Sequence, residues 1–116
     1  MPVKINSLDA IKKRLKIDNN GEAQAIMTET CYRYMDKYVP MDNGDLRTNV
    51  SLTTSMITYE SPYASYQFYG QRSDGSHKIK QWTTAGTGPR WDKRMISADI
   101  DQVVDEVQNF IDRGGN

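Results

Sequence analysis

Apolar positions along the chain follow two rhythms, and the places where the rhythm changes mark out its elements. Val3-Lys4-Ile5-Asn6 alternates apolar with polar, the period of a short half-buried strand. Ser7 is a good helix N-cap, with Asp9 in the first turn to complement the helix dipole. Leu8, Ile11 and Leu15 then recur at helical spacing to about Ile17, and Asp18-Asn19-Asn20-Gly21 ends that helix. A longer helix is predicted from Glu22 to about Tyr38. Its apolar stripe is Ala23, Ile26 or Met27, Thr30 or Cys31, Tyr34 and Tyr38. Pro40 stops it, because residues ahead of a proline are driven towards extended geometry.

From Asn49 to Glu60 the period falls to two. Val50 and Leu52 share one face, Ile57 and Tyr59 share the next, and Thr54-Ser55 between them predicts a β-hairpin. Pro62 opens a short helix that Gly70 closes. Gln71 to Gly88 reads mostly as loop, with Lys78 to Trp82 as a candidate strand. Pro89 suits the first turn of a last helix, where Ile96, Ile100, Val103, Val107 and Phe110 form an apolar seam ended by Gly114-Gly115. Together these predict an α+β fold: a small antiparallel sheet packed against helix 22–38 and a C-terminal helix. With no internal repeat, residues 1–116 are expected to form one domain with a flexible loop at about 71–88.

Composition narrows the function. A hydrophobic share of 37 % and a mean hydropathy of -0.74 put the chain at the polar end of globular proteins. Fifteen basic residues balance fifteen acidic ones, so no net charge draws it to nucleic acid. The balance is not local. Lys4, Lys12, Lys13, Arg14 and Lys16 crowd the first sixteen residues, while Asp99, Asp101, Asp105, Glu106 and Asp112 run without a base near the other end. Such runs are either solvated helix faces or the two halves of a head-to-tail contact between subunits. No apolar run approaches a membrane span, and Met1-Pro2-Val3-Lys4 has no signal-peptide core, so a protein used where it is made is expected.

Catalytic chemistry finds few residues. Cys31 and His77 are single, with no motif partner, and Cys31 falls on or beside an apolar stripe where an inert thiol is the default. One Cys and one His give no metal-ligand spacing. Gly86-Thr87-Gly88 lacks the Lys-Ser/Thr end of a phosphate loop. The expectation is no enzyme, no cofactor and no metal.

Three segments carry more. In the turn Pro40-Met41-Asp42-Asn43-Gly44-Asp45-Leu46-Arg47, Asp42 can accept backbone amides and Gly44 tolerates a positive φ. Leu46 is then directed to the core, and Arg47 to an internal ion pair or a neighbouring subunit. Tyr63, Tyr66, Phe68 and Tyr69 place four aromatics in seven positions, more than one helix face can bury. The loop that follows carries Arg72, His77, Lys78, Lys80 and Trp82, a candidate arm. Trp91, beside the last seam, is expected to anchor the core.

The turn at 40–47, the run Tyr59-Glu-Ser-Pro-Tyr-Ala-Ser-Tyr-Gln-Phe-Tyr-Gly70 and the run Trp82-Thr-Thr-Ala-Gly-Thr-Gly-Pro-Arg-Trp-Asp92 resemble, in that order, segments of phage neck minor capsid proteins. The chain is most similar to the tail-completion (head–tail joining) proteins of long-tailed phages, although that family usually has Thr where Asn43 stands. The resemblance implies a structural virion protein of the neck, made in the host cytoplasm. It also implies a ring, commonly hexameric, between the head's stopper (head-completion) protein and the tail tube or tail terminator, with at most transient contact with passing duplex DNA and none with membrane. Pro40, Asp42, Gly44, Leu46 and Arg47 would set the turn. Tyr63, Tyr66, Tyr69, Arg72, Lys78, Lys80 and Trp82 are the interface candidates. The other function class open to these residues is a host-directed or regulatory module that docks through the Tyr-rich helix.

Overall fold

The computed structural model describes residues 2–5, 7–15, 21–40, 45–62, 64–72, 75–79 and 87–113. Strand β1 is Val3–Ile5, helix α1 Asp9–Leu15, helix α2 Glu22–Met35, and helix α3 a single turn at Asp45–Thr48. Strands β2 (Val50–Leu52) and β3 (Ile57–Tyr59) follow, then helix α4 (Ala64–Tyr69) and the 22-residue helix α5 (Trp91–Asp112). The three strands form an antiparallel sheet in the order β1-β3-β2. The α+β class and the predicted hairpin hold.

The core lies between one face of this sheet and helices α1, α2 and α5. Val3, Ile5, Ile57 and Tyr59 come from the sheet, Ile11 and Leu15 from α1, and Met27, Cys31 and Met35 from α2. Trp91, Met95, Val103 and Val107 come from α5. The opposite face of the sheet, with Lys4 and Ser51, is exposed. Thr28 donates its hydroxyl to the Thr54 carbonyl at 2.7 Å, so α2 also holds the turn of the hairpin.

Four details correct the sequence-based expectations. Helix α2 stops at Met35 and tightens into a 3-10 turn at Asp36–Tyr38, because Val39 must be extended (φ -82°, ψ 127°) ahead of Pro40. The last helix begins at Trp91 and not at Pro89. Arg90 between them takes a left-handed conformation (φ 51°, ψ 57°) that breaks the helix geometry. The buried row of α5 is Trp91, Met95, Asp99, Val103 and Val107, whereas Ile96, Ile100 and Phe110 of the expected seam are only partly covered. A charged residue therefore lies on the core row. Lastly, Lys78 and Ile79 are not in a strand, since the Ile79 N–H is bonded to the Gly70 carbonyl at 2.7 Å. Residues 80–82 of that candidate strand lie outside the described residues.

Candidate functional site

Two clusters of polar chemistry sit where elements from distant parts of the chain meet. The first is built around Asp92, which is 1 % exposed. Arg90 reaches it with two hydrogen bonds, Nε to Oδ1 at 3.0 Å and Nη2 to Oδ2 at 2.7 Å. Ser7, ahead of α1, donates its hydroxyl to Oδ2 at 2.6 Å. Burial alone would raise the carboxyl pKa, but the bonds from Arg90, Ser7 and the Lys93 amide outweigh it and hold the group below the ordinary carboxylate range. The guanidinium of Arg90 also lies over the Phe68 ring at 4.8 Å, and its amide donates to the Phe68 carbonyl at 2.7 Å. A left-handed Arg90, with Asp92, is thus the point where α4, the start of α5 and the segment ahead of α1 are joined.

Above this clasp a shallow depression of about 250 Å³ is lined by Lys4, Ser7, Phe68, Tyr69, Arg90 and Asp92. Below it, Trp91 meets Tyr59 (centroids 5.2 Å, 71°) and Phe68 (4.8 Å, 81°) edge to face. Trp91 is the expected core anchor. Its indole N–H and the Tyr59 hydroxyl are both buried without a hydrogen-bond partner among the described residues.

The second cluster runs along α5. Asp99 accepts the Tyr38 hydroxyl at 2.8 Å and pairs with Lys37 Nζ at 3.0 Å. Glu106 accepts the Tyr34 hydroxyl at 2.6 Å and pairs with Arg33 at 2.7 Å, and these bonds lower its pKa. Asp101 pairs with Arg14 of α1 at 3.0 Å. Three carboxylates of the acidic run are therefore engaged within the chain, one of them by the basic N-terminal run itself. One pair, Arg14 with Asp101, joins the two charge runs within the subunit, and both of its side chains remain largely exposed. Asp105 stays exposed.

The predicted site residues divide along similar lines. In the turn motif, Pro40 and Leu46 are buried. Arg47 faces inward: Nε donates to the Val39 carbonyl at 2.8 Å, with Asp36 3.9 Å away, which is the internal role of the two weighed. Asp42 and Gly44 lie outside the described residues. Phe68 is core, and Tyr66 donates its hydroxyl to the His77 carbonyl at 2.9 Å. Tyr69 is 57 % exposed and rests edge-on against Phe68 at 5.1 Å. Arg72 and Lys78 have exposed side chains, while the Arg72 backbone closes a turn with Gly75 and Ser76. Tyr63, Lys80 and Trp82 lie outside the described residues.

The thiol of Cys31 is fully buried, which pushes its pKa up to about 12, far from a nucleophile's. His77 is exposed, its Nδ1 2.8 Å from Ser76 Oγ. Among the described residues no group of His, Cys, Asp and Glu is arranged to hold a metal, and no helix is long and apolar enough to cross a membrane. The signal for the Asp92 clasp was present in the sequence as the Trp91-Asp92 pair. Its partner Arg90 stands in the same run, whereas Ser7 is 85 residues away and gives no local signal.

Against known proteins, neither a curated protein nor a solved structure matches the chain. A family model described as minor capsid protein matches residues 2–114, which takes in every element from β1 to α5. The core anchor Trp91, the Asp92 clasp and the inward-facing Arg47 are thus the scaffold of a phage structural protein, and the chain belongs to the minor capsid protein family.

Proposed function

We propose that this minor capsid protein works in the neck of the virion, as a ring that joins the DNA-filled head to the tail tube. Its subunits would contact one another, the stopper protein above, and the tail tube or tail terminator below. The work is binding without chemistry. Duplex DNA passes through the lumen, and with zero net charge the ring gives it no tight site.

The observation that carries the reading is Tyr69. A tyrosine left 57 % exposed at the end of α4, beside a depression with Lys4 and Arg90 on its wall, is what a contact surface uses: a rigid apolar body with a polar tip. Its neighbours in the aromatic run are already committed, Phe68 to the core and Tyr66 to the His77 carbonyl. The turn at 40–47, which resembles that of phage neck proteins, supports the neck position. The exposed Tyr69 on α4 would serve a regulatory docking module as well, and the match to the minor capsid protein family is what favours the virion role.

Deletion of the gene from its phage tests the proposal by electron microscopy of the lysate. Packed heads beside finished, unattached tails are expected. Normal infectious virions would overturn the neck role, and empty or leaking heads would move the protein to the stopper or adaptor ring.

A further inference from the structure

The two outer edges of the sheet are not alike. In the β2–β3 pair, Val50 lies opposite Tyr59, Ser51 opposite Thr58 and Leu52 opposite Ile57. At the ends of that ladder the Thr53 N–H donates to the Met56 carbonyl and the Glu60 N–H to the Asn49 carbonyl, both at 2.9 Å. Bonded positions alternate in an antiparallel pair, so residues 49, 51 and 53 turn their peptide groups towards β3. Val50 and Leu52 turn theirs away from the sheet. Among the described residues nothing hydrogen-bonds these outward groups.

The same alternation applied to β1, where Val3 lies opposite Tyr59 and Ile5 opposite Ile57, leaves Lys4 as the outward position. That edge is guarded. Pro2, just before the strand, has no N–H to offer, and Lys4 is a charged side chain of the kind that discourages pairing. The β2 edge has no such guard: its sequence Val50-Ser51-Leu52-Thr53 contains neither charge nor proline, and Leu52 is 42 % exposed on the core side of the sheet.

We infer that the β2 edge is a strand-addition site for an extended segment of another virion protein. Outward peptide groups two residues apart fit a β-strand and no other backbone. On the core side the guest presents an apolar residue beside Leu52. On the opposite side it meets Ser51 bonded to the Glu60 carboxylate at 2.8 Å, where a basic or neutral polar residue fits. A second copy is a poor guest. Its β1 edge is closed by Pro2 and Lys4, and β2-to-β2 pairing is two-fold, so it cannot propagate around a ring.

The inference rests on the virion role proposed above, and the test separates the two. Leu52→Pro removes an N–H that the fold does not use, and Leu52→Lys installs the guard found on β1. Both are expected to melt close to the wild type, whereas Thr53→Pro, which removes a ladder bond, is expected to melt lower. Supplied to the deletion phage, both Leu52 variants should lower infectious titre by at least about tenfold, the effect of one weakened contact. Full titre from folded Leu52 variants, with the deletion still defective, would overturn the strand site and leave the neck role standing. Sedimentation of the purified protein provides the check on the guest. Equal sedimentation of wild type and Leu52→Pro is expected, and loss of an oligomer in the variant would overturn the choice of a different protein.

Discussion

Arg90 occupies a backbone conformation that costs an L-residue about 1–2 kcal/mol. What offsets that cost is the fork of hydrogen bonds to a carboxylate 2 % exposed at its side chain, completed by Ser7. Replacing Asp92 by Asn keeps the shape and removes the charge, leaving Arg90 and Ser7 short of an acceptor. Because Arg90 is 35 % exposed, the cost should fall below that of a fully buried broken pair, at about 2 kcal/mol. Urea unfolding should give a lower midpoint with an unchanged slope. An unchanged midpoint would mean that the clasp holds nothing. Little of this was legible beforehand, because a bond between positions 7 and 92 depends on how the chain returns and not on any local pattern.

Among the elements, the hairpin was legible because two alternating runs flank Thr54-Ser55, and strand burial then follows from which face meets the core. Helix α5 was read correctly in existence and nearly so in extent, but its phase was turned by about one residue. The reason is Asp99. A periodicity reading excludes a carboxylate from the core row, yet Tyr38 and Lys37 reach this one and satisfy it. With Asp99 admitted, Trp91, Met95, Val103 and Val107 fall into a row of four-residue steps. The phase can be tested by truncation. Met95→Ala should cost about 2–4 kcal/mol, as for other buried methionines, and Phe110→Ala about 1 kcal/mol, since its ring is only partly covered. Equal losses in thermal melts, or a larger loss at Phe110, would favour the sequence-based seam. The candidate surface was less legible than the core. Aromatic density marked α4, but which aromatic stays outside depends on Arg90 and Trp91 already claiming Phe68.

For the whole molecule, α5 is the common partner. It holds α1 through Asp101, α2 through Glu106, the 3-10 turn after α2 through Asp99, and the start of the chain through Asp92. Asp92 and Glu106 both have pKa values lowered by these bonds. A carboxyl with a lowered folded pKa adds stability above its unfolded value and loses it as pH falls through the folded one. Stability should therefore be flat near neutrality and decline below about pH 4, the ordinary carboxylate range. Most of that slope should belong to Asp92, since Glu106 is 42 % exposed and its pairs are screened. Melting temperature followed from pH 7 to pH 3 measures this, and Asp92→Asn should flatten the acid limb. A melting temperature that is constant down to pH 3 would contradict it.

The reach of Ser7 to Asp92 has a consequence in time. A chain is made from its first residue onward, and Ser7 meets its carboxylate partner only after 85 further residues have been added. The sheet and α2 likewise lack Trp91, Met95, Val103 and Val107 as lining until α5 emerges. Contacts this distant in sequence close slowly and together. On the ribosome the earlier segments therefore have no finished core to settle into, and a half-made subunit has no completed surface to offer a growing particle. Until α5 is made, the sheet and α2 keep the apolar faces that it covers open to whatever meets the nascent chain.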